Sequence, residues 1–159
     1  MKTKILIFGA TGSIGKQALD IISKSKKLTL CGFSYHNNDV LAHKIKTKYK
    51  ILNVLNSSPN TSIKEIKKII KKVKPDLIVN AVVGFAGINY SLASIECKVD
   101  LALANKESLV CAGQFIIPLA HKNKVHIYPV DSEHSALYQL LHHRWRRPIS
   151  YSYITASGG

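Results

Sequence analysis

Three glycines fall within Gly9-Ala10-Thr11-Gly12-Ser13-Ile14-Gly15, between an apolar strand-like segment (Lys4–Phe8) and a helical one (Ile14–Ser25). Glycines at such a junction permit a tight turn and let backbone approach a ligand closely. The helix behind them supplies unpaired amides and a favourable dipole for an anion. Thr11 and Ser13 add hydroxyl donors. The spacing is GxxGxxG, so a merely structural glycine turn is the competing account. Its place after the first strand and before the first helix favours dinucleotide binding.

The rest of the chain repeats that strand–helix rhythm. Strands are predicted at Leu28–Tyr35, near Asn53–Leu55, and at Leu77–Val83, Asp100–Leu103 and Val125–Tyr128. Helices are predicted at Val40–Tyr49, Ile63–Val73, Ile88–Glu96, Ser108–Asn123 and Ser135–Leu141. Near-continuous apolar strands alternating with helices imply a parallel sheet covered on both faces, a Rossmann-like doubly wound α/β fold. Beyond Leu141 the pattern breaks at His142-His143-Arg144-Trp145-Arg146-Arg147-Pro148, and Ile149–Thr155 reads as a new strand.

With 159 residues and 46% hydrophobic content, the chain can bury the core of one ordinary domain. No apolar run approaches the ~20 residues that span a bilayer, and no signal-peptide pattern opens the chain. Cys31, Cys97 and Cys111 are odd in number and lack CxxC spacing, which argues against a disulfide framework and for a reducing cytoplasm. The net charge of +14 raises a nucleic-acid partner as an option. However, only Arg144, Arg146 and Arg147 among the 23 basic residues are arginines, and no aromatics interleave with the lysine runs. In Lys64–Lys74, Ile63, Ile66, Ile69, Ile70 and Val73 form an apolar stripe opposite the lysines. Ser62 and Glu65 form a capping box and Pro75 follows, so a solvated helix face is expected. A positive field would still draw in phosphorylated substrates.

Chemistry-bearing residues gather where strands end. The second strand should deliver a ribose-reading residue about twenty positions after the glycines. There the chain has Ser34-Tyr35-His36-Asn37-Asn38 and no carboxylate at the strand end. That favours NADP over NAD, with His36, Asn37 and Asn38 as neutral or weakly cationic partners. Asp39 is read as the N-cap of the next helix. Gly84-Phe85-Ala86-Gly87 either lets a nicotinamide half lie against backbone or simply turns strand into helix. Asn105, Lys106 and Glu107 follow an apolar strand as amide, ammonium and carboxylate. Asp131, Ser132 and Glu133 follow the last of these strands. Two carboxylates two residues apart suit a hard cation such as Mg²⁺ or Mn²⁺, while Asp131 or Ser132 could equally cap the helix behind them.

Taken together, GATGSIG at 9–15, VGFAG at 83–87, LANKESLV at 103–110, PVDSEHSA at 129–136 and TASGG at 155–159 resemble the 1-deoxy-D-xylulose 5-phosphate reductoisomerase family, in its order and from end to end of the chain. The resemblance implies NADPH and a divalent cation, Mg²⁺ or Mn²⁺, as cofactors, a sugar phosphate as substrate, and a homodimer for a full-length member. It implies that Thr11, Gly12, Ser13 and Ile14 bind the NADPH phosphates and ribose, and that His36, Asn37 and Asn38 face the 2′-phosphate. Asn105 and Glu107 would contact the nicotinamide half, and Lys106 the sugar. Asp131 and Glu133 would hold the metal, with Ser132, Glu133 and Ser157 on the substrate and Lys106, Asp131 and Glu133 catalytic. The family often has lysine where this chain has Asn37, which removes a charge from the 2′-phosphate site.

On this reading residues 1–128 form the NADPH-binding domain. Residues 129–159 are the truncated start of an α+β catalytic domain, and the chain is a catalytically incomplete fragment. The rivals are an NADPH-binding module without turnover and another Rossmann reductase of the semialdehyde dehydrogenase type. The latter would need a nucleophilic cysteine, and Cys111, inside a predicted apolar helix, is a poor one.

Overall fold

The computed structural model describes residues 1–142, 151 and 153. Six parallel strands run in the order β3-β2-β1-β4-β5-β6, the arrangement of a dinucleotide-binding sheet whose strand order reverses beside β1. The strands are β1 (Thr3–Phe8), β2 (Leu28–Tyr35), β3 (Val54–Asn56), β4 (Leu77–Asn80), β5 (Asp100–Leu103) and β6 (Ile127–Pro129). Between and after them lie α1 (Ser13–Lys24), α2 (Asp39–Tyr49), α3 (Ile63–Val73), α4 (Ala86–Glu96), α5 (Glu107–Val110), α6 (Gly113–Asn123) and α7 (Ser132–His142).

The unbroken apolar run of β1 is explained by its two buried faces. Leu6 and Phe8 pack with Ile66, Ile70 and Tyr90 of α3 and α4. Ile5 and Ile7, on the opposite side of the pleat, pack with Leu19, Ile22 and Ile45 of α1 and α2. A smaller cluster of Ile95, Ile116, Ala120 and Val125 seats α6 beside α4. The expected apolar stripe of α3 is buried from Ile66 to Val73. Its capping box is formed: the Ser62 backbone N–H donates to Glu65 Oε2 at 2.9 Å and the Glu65 N–H to Ser62 Oγ at 3.3 Å. At the other ends of helices, Lys50, Lys74 and Lys124 adopt left-handed backbone (φ 54°, 46° and 57°) as C-caps of α2, α3 and α6.

Several boundaries differ from the sequence expectation. The expected strand Leu77–Val83 ends at Asn80, because the Asn80 side chain accepts from the Val82 N–H (3.2 Å) and donates to the Gly87 carbonyl (2.8 Å), folding the chain off the sheet. The expected helix Ser108–Asn123 is two helices. Ala112 leaves helical geometry (φ −128°, ψ 11°), which frees α5 to follow its own polar contacts while α6 packs on α4. The last strand is Ile127–Pro129, displaced toward the C-terminus, and α7 begins at Ser132, not Ser135. Asp39 does not cap α2. It is the first helical residue, and Asn38 caps through Oδ1, which accepts the Leu41 N–H at 2.9 Å. The expected strand Ile149–Thr155 and the His142–Pro148 break lie largely outside the described residues.

Candidate functional site

At the C-terminal edge of β1, each glycine of the phosphate loop has its own reason. Gly9 has φ +78°, and a Cβ there would lie 2.6 Å from the Ala81 carbonyl oxygen. A Cβ on Gly15 would collide with the backbone of Gly9 and Ala10, so this glycine lets α1 press against the loop. Gly12 is exposed and has φ −75°, and a Cβ there would meet only the Gly9 carbonyl, at 3.3 Å. Its freedom serves whatever lies outside the loop. Buried Ser34 ties the loop to β2: Ser34 Oγ accepts the Gly9 N–H (3.0 Å) and its carbonyl accepts that of Ala10 (2.9 Å). Among the described residues no side chain caps α1, and the first-turn amides of Ser13, Ile14 and Gly15 have no partner there, which is the donor set a phosphate requires.

A cleft of about 330 Å³ opens beside this loop, between Gly9, Thr11 and Gly12, His36, the turn Ser57–Pro59, and Ala81–Val83. His36 lines it, and His36, Asn37 and Asn38 are all exposed. The His36 ring is held by Nδ1 against the Ser57 carbonyl at 2.5 Å. Ser57 is fixed in turn, its N–H and Oγ–H both donating to the Tyr35 carbonyl (2.7 and 2.8 Å). The Asp39 carboxylate accepts the Tyr35 hydroxyl and raises its pKa above the ordinary tyrosine value. Tyr90 of α4 also lines the cleft; it is 1% exposed, and among the described residues its buried hydroxyl has no hydrogen-bond partner. An orphan donor beside an open amide cradle fits a polar ligand or its water.

The ends of β4 and β5 share one buried polar network. Asn80 Nδ2 donates to Ser91 Oγ at 2.9 Å, Ser91 and Ser108 hydroxyls lie 2.8 Å apart, and Asn105 Oδ1 accepts from Ser108 N–H and Oγ–H (3.0 and 2.6 Å). Asn105 Nδ2 donates to the Val82 and Gly84 carbonyls (both 2.9 Å) and lies 2.8 Å from Glu107 Oε2. Being 2% exposed and fully engaged, Asn105 sits beneath the cleft and shapes the 82–84 turn and Glu107 from below. Gly87 is required here, since any Cβ would strike the Asn105 side chain. Lys106 is exposed between these two residues, and Glu107 is half-buried.

Beside β5, β6 pairs Leu103 with Pro129, so Asp131, Ser132 and Glu133 follow it at the sheet edge where Lys106 follows β5. Asp131 takes the helix-capping geometry. Its carbonyl accepts the Ser135 N–H (2.8 Å), and its Oδ1 lies 3.4 Å from the His134 N–H and 3.3 Å from His134 Nδ1. Glu133 Oε2 accepts the Ser132 hydroxyl at 2.7 Å, and this bond is the main cause holding its carboxyl below the usual glutamate range. Two hard oxygen donors suit Mg²⁺ or Mn²⁺ with water and substrate completing the shell. Among the described residues no group of three His, Cys, Asp or Glu side chains gathers around them.

The structure therefore places Thr11, Gly12 and His36 on one cleft, with Ser13, Ile14, Asn37 and Asn38 adjoining them in the chain but not lining it, and puts Lys106, Glu107 and Asp131–Glu133 just after the ends of β5 and β6. Ser157 lies outside the described residues. Sequence reading missed Ser34, Ser57, Asn80, Tyr90, Ser91 and Ser108. An asparagine closing the apolar strand LIVN was the available signal for one of them. Cys111 is exposed as the C-cap of α5, not enclosed in a helix.

The family models that match and the curated relatives most similar to the chain point to one family. Residues 5–68 and 53–113 match 1-deoxy-D-xylulose 5-phosphate reductoisomerase, and residues 127–159 match that family's C-terminal domain. The chain is 44% identical over 160 residues to the 1-deoxy-D-xylulose 5-phosphate reductoisomerase of Malacoplasma penetrans, covering 99% of this chain and 42% of that protein. It is 47% identical over 159 residues to that of Mycoplasmoides gallisepticum, covering 98% and 43%. A crystal structure of DOX-P reductoisomerase in complex with NADPH, fosmidomycin and magnesium superposes with TM-score 0.79 at 29% identity, over 86% of this chain and 38% of that one. The chain thus spans less than half the length of these relatives, and by sequence and fold it belongs to the 1-deoxy-D-xylulose 5-phosphate reductoisomerase family.

Proposed function

We propose that the chain carries the NADPH cleft and two metal-binding carboxylates of an enzyme that isomerises 1-deoxy-D-xylulose 5-phosphate and reduces it to 2-C-methyl-D-erythritol 4-phosphate. The observation that carries this is the uncapped N-terminus of α1 behind a sterically enforced glycine loop, on the same sheet edge as Lys106, Asp131 and Glu133. When bound, NADPH would supply hydride and a divalent cation would supply Lewis acidity toward the sugar oxygens.

The chain's own residues bind and orient. The amides of Ser13 and Ile14 with the Thr11 and Ser13 hydroxyls hold the pyrophosphate; His36, Asn37 and Asn38 face the 2′-phosphate. Asn105 acts from beneath, fixing the 82–84 turn and Glu107 against the nicotinamide half. Lys106 binds the sugar and stabilises oxyanion charge as it develops. Asp131 and Glu133 hold the cation, and Ser132, Glu133 and Ser157 contact the substrate. The cofactor part ends at 128 and the catalytic part starts at 129. A full-length member works as a cytoplasmic homodimer, a setting that suits three free cysteines.

A second reading, NADPH binding without turnover by this chain itself, is favoured by the two-carboxylate metal site among the described residues. Backbone amide NMR separates the possibilities. NADPH should shift resonances at Thr11–Ile14 and His36–Asn38, and Mn²⁺ should broaden those around Asp131–Glu133 in the wild type but not in Asp131→Asn or Glu133→Gln. Scattered or absent perturbations would remove the proposed sites. NADPH consumption dependent on 1-deoxy-D-xylulose 5-phosphate would remove the second reading.

A further inference from the structure

We infer that His36 decides the preference of this cleft for NADPH over NADH, and that the preference is proton-linked. The inference rests on the cofactor reading above. The Ser57 carbonyl facing Nδ1 can only accept, so Nδ1 carries the hydrogen and the tautomer is set. Ser57 itself is held by two hydrogen bonds to the Tyr35 carbonyl, so the acceptor is fixed and turning the ring away loses the Nδ1–H bond to it. Nε2 is then the atom left for a ligand; among the described residues it has no partner. In the neutral ring that nitrogen offers a lone pair, which opposes a phosphate oxygen. Only the imidazolium donates there, through a charge-assisted bond.

Among the described residues that line the cleft, no fixed cation takes over the task. Of the residues lining the cleft, only His36 and Tyr90 ionise, and none is a lysine or arginine. The phosphate loop, the Ser57–Pro59 turn and the Ala81–Val83 turn present no charge to the ring. On its own strand and helix stand Tyr35 and Asp39, and these two are bonded to each other. Asn37 is neutral, and the Asn38 oxygen is taken by the helix cap. Recognition of the 2′-phosphate therefore depends on a charge that only the protonated ring carries.

The test is titration of the 159-residue chain with NADPH and NADH at about pH 6 and about pH 8.5. The ratio of Kd for NADH to Kd for NADPH should rise on the order of tenfold toward the lower pH, the worth of one charge-assisted hydrogen bond. His36→Asn keeps an amide able to donate to the Ser57 carbonyl but cannot charge. Its ratio should stay flat or fall as the 2′-phosphate itself protonates. His36→Lys should hold a high ratio at both pH values, with thermal melts confirming that both variants fold. A wild-type ratio indifferent to pH, or a rise retained by His36→Asn, overturns the inference while leaving the cofactor site standing. Failure of the wild type to bind either nucleotide overturns the cofactor reading and this inference with it.

Discussion

Asn105 Nδ2 lies 2.8 Å from Glu107 Oε2 while the same amide holds the carbonyls of Val82 and Gly84, so one buried side chain sets the turns after two neighbouring strands. Removing it leaves the part-buried Val82 carbonyl without its side-chain partner and takes one hydrogen bond each from the Gly84 carbonyl and the Ser108 N–H, which keep backbone partners in Gly87 and residue 105. Asn105→Ala should destabilise the fold by about 3 kcal/mol, lowering Tm on the order of 10 °C. Ser91→Ala, which deletes one hydroxyl from the same network, should cost about 1 kcal/mol. Equal melting temperatures for Asn105→Ala and wild type would mean the network is not a stabilising unit.

Lysine caps offer a gain in stability. Lys50, Lys74 and Lys124 hold left-handed backbone that costs an L-residue roughly 1–2 kcal/mol and glycine almost nothing. Lys74→Gly should therefore raise stability by about 0.5–1 kcal/mol after the entropy of the more flexible unfolded chain is counted. Lys46→Gly, inside α2, should lower it by about 1 kcal/mol. Urea titrations read both, and a destabilised Lys74→Gly would contradict the cap assignment.

Acid sensitivity follows from two carboxylates. The Ser62 hydroxyl and then its backbone N–H hold the Glu65 carboxyl below the usual range, and the Ser132 hydroxyl is the main cause of the same shift at Glu133. A depressed folded-state pKa means that stability is present above the unfolded glutamate value near ~4.3 and is lost as pH falls through the folded value. Glu65→Gln should lower the melting temperature near neutrality and flatten its fall between about pH 5 and about pH 3. An acid limb of unchanged steepness would show that this cap does not couple to protonation.

The doubly wound sheet and the strand-end location of the site were legible because both are written in periodicity. Buried strands such as Ile5–Phe8 are apolar throughout, and the helix of Ile66, Ile69, Ile70 and Val73 repeats at helical spacing. What escaped was decided by side-chain bonds across distant segments. Asn80 ends its strand three residues early by seizing Val82 and Gly87, and Asn105 selects a short separate α5 through Ser108. The Asn38 cap and the His36–Ser57 contact depend on how β2 and β3 align, which no local pattern encodes. The loop motif correctly indicated glycine, but not that Gly9 and Gly15 serve packing while Gly12 faces outward.

The central claim is that the Gly9–Gly15 loop is a nucleotide-phosphate cradle, and fluorescence titration with NADPH tests it most directly. Because a side chain at position 12 would meet only one backbone oxygen, Gly12→Val should fold with a melting temperature close to wild type. It should nevertheless block approach to the α1 amides. The account predicts saturable binding by the wild-type chain and none by Gly12→Val. Saturable binding of equal affinity in both proteins, or no binding by the wild type, would contradict it.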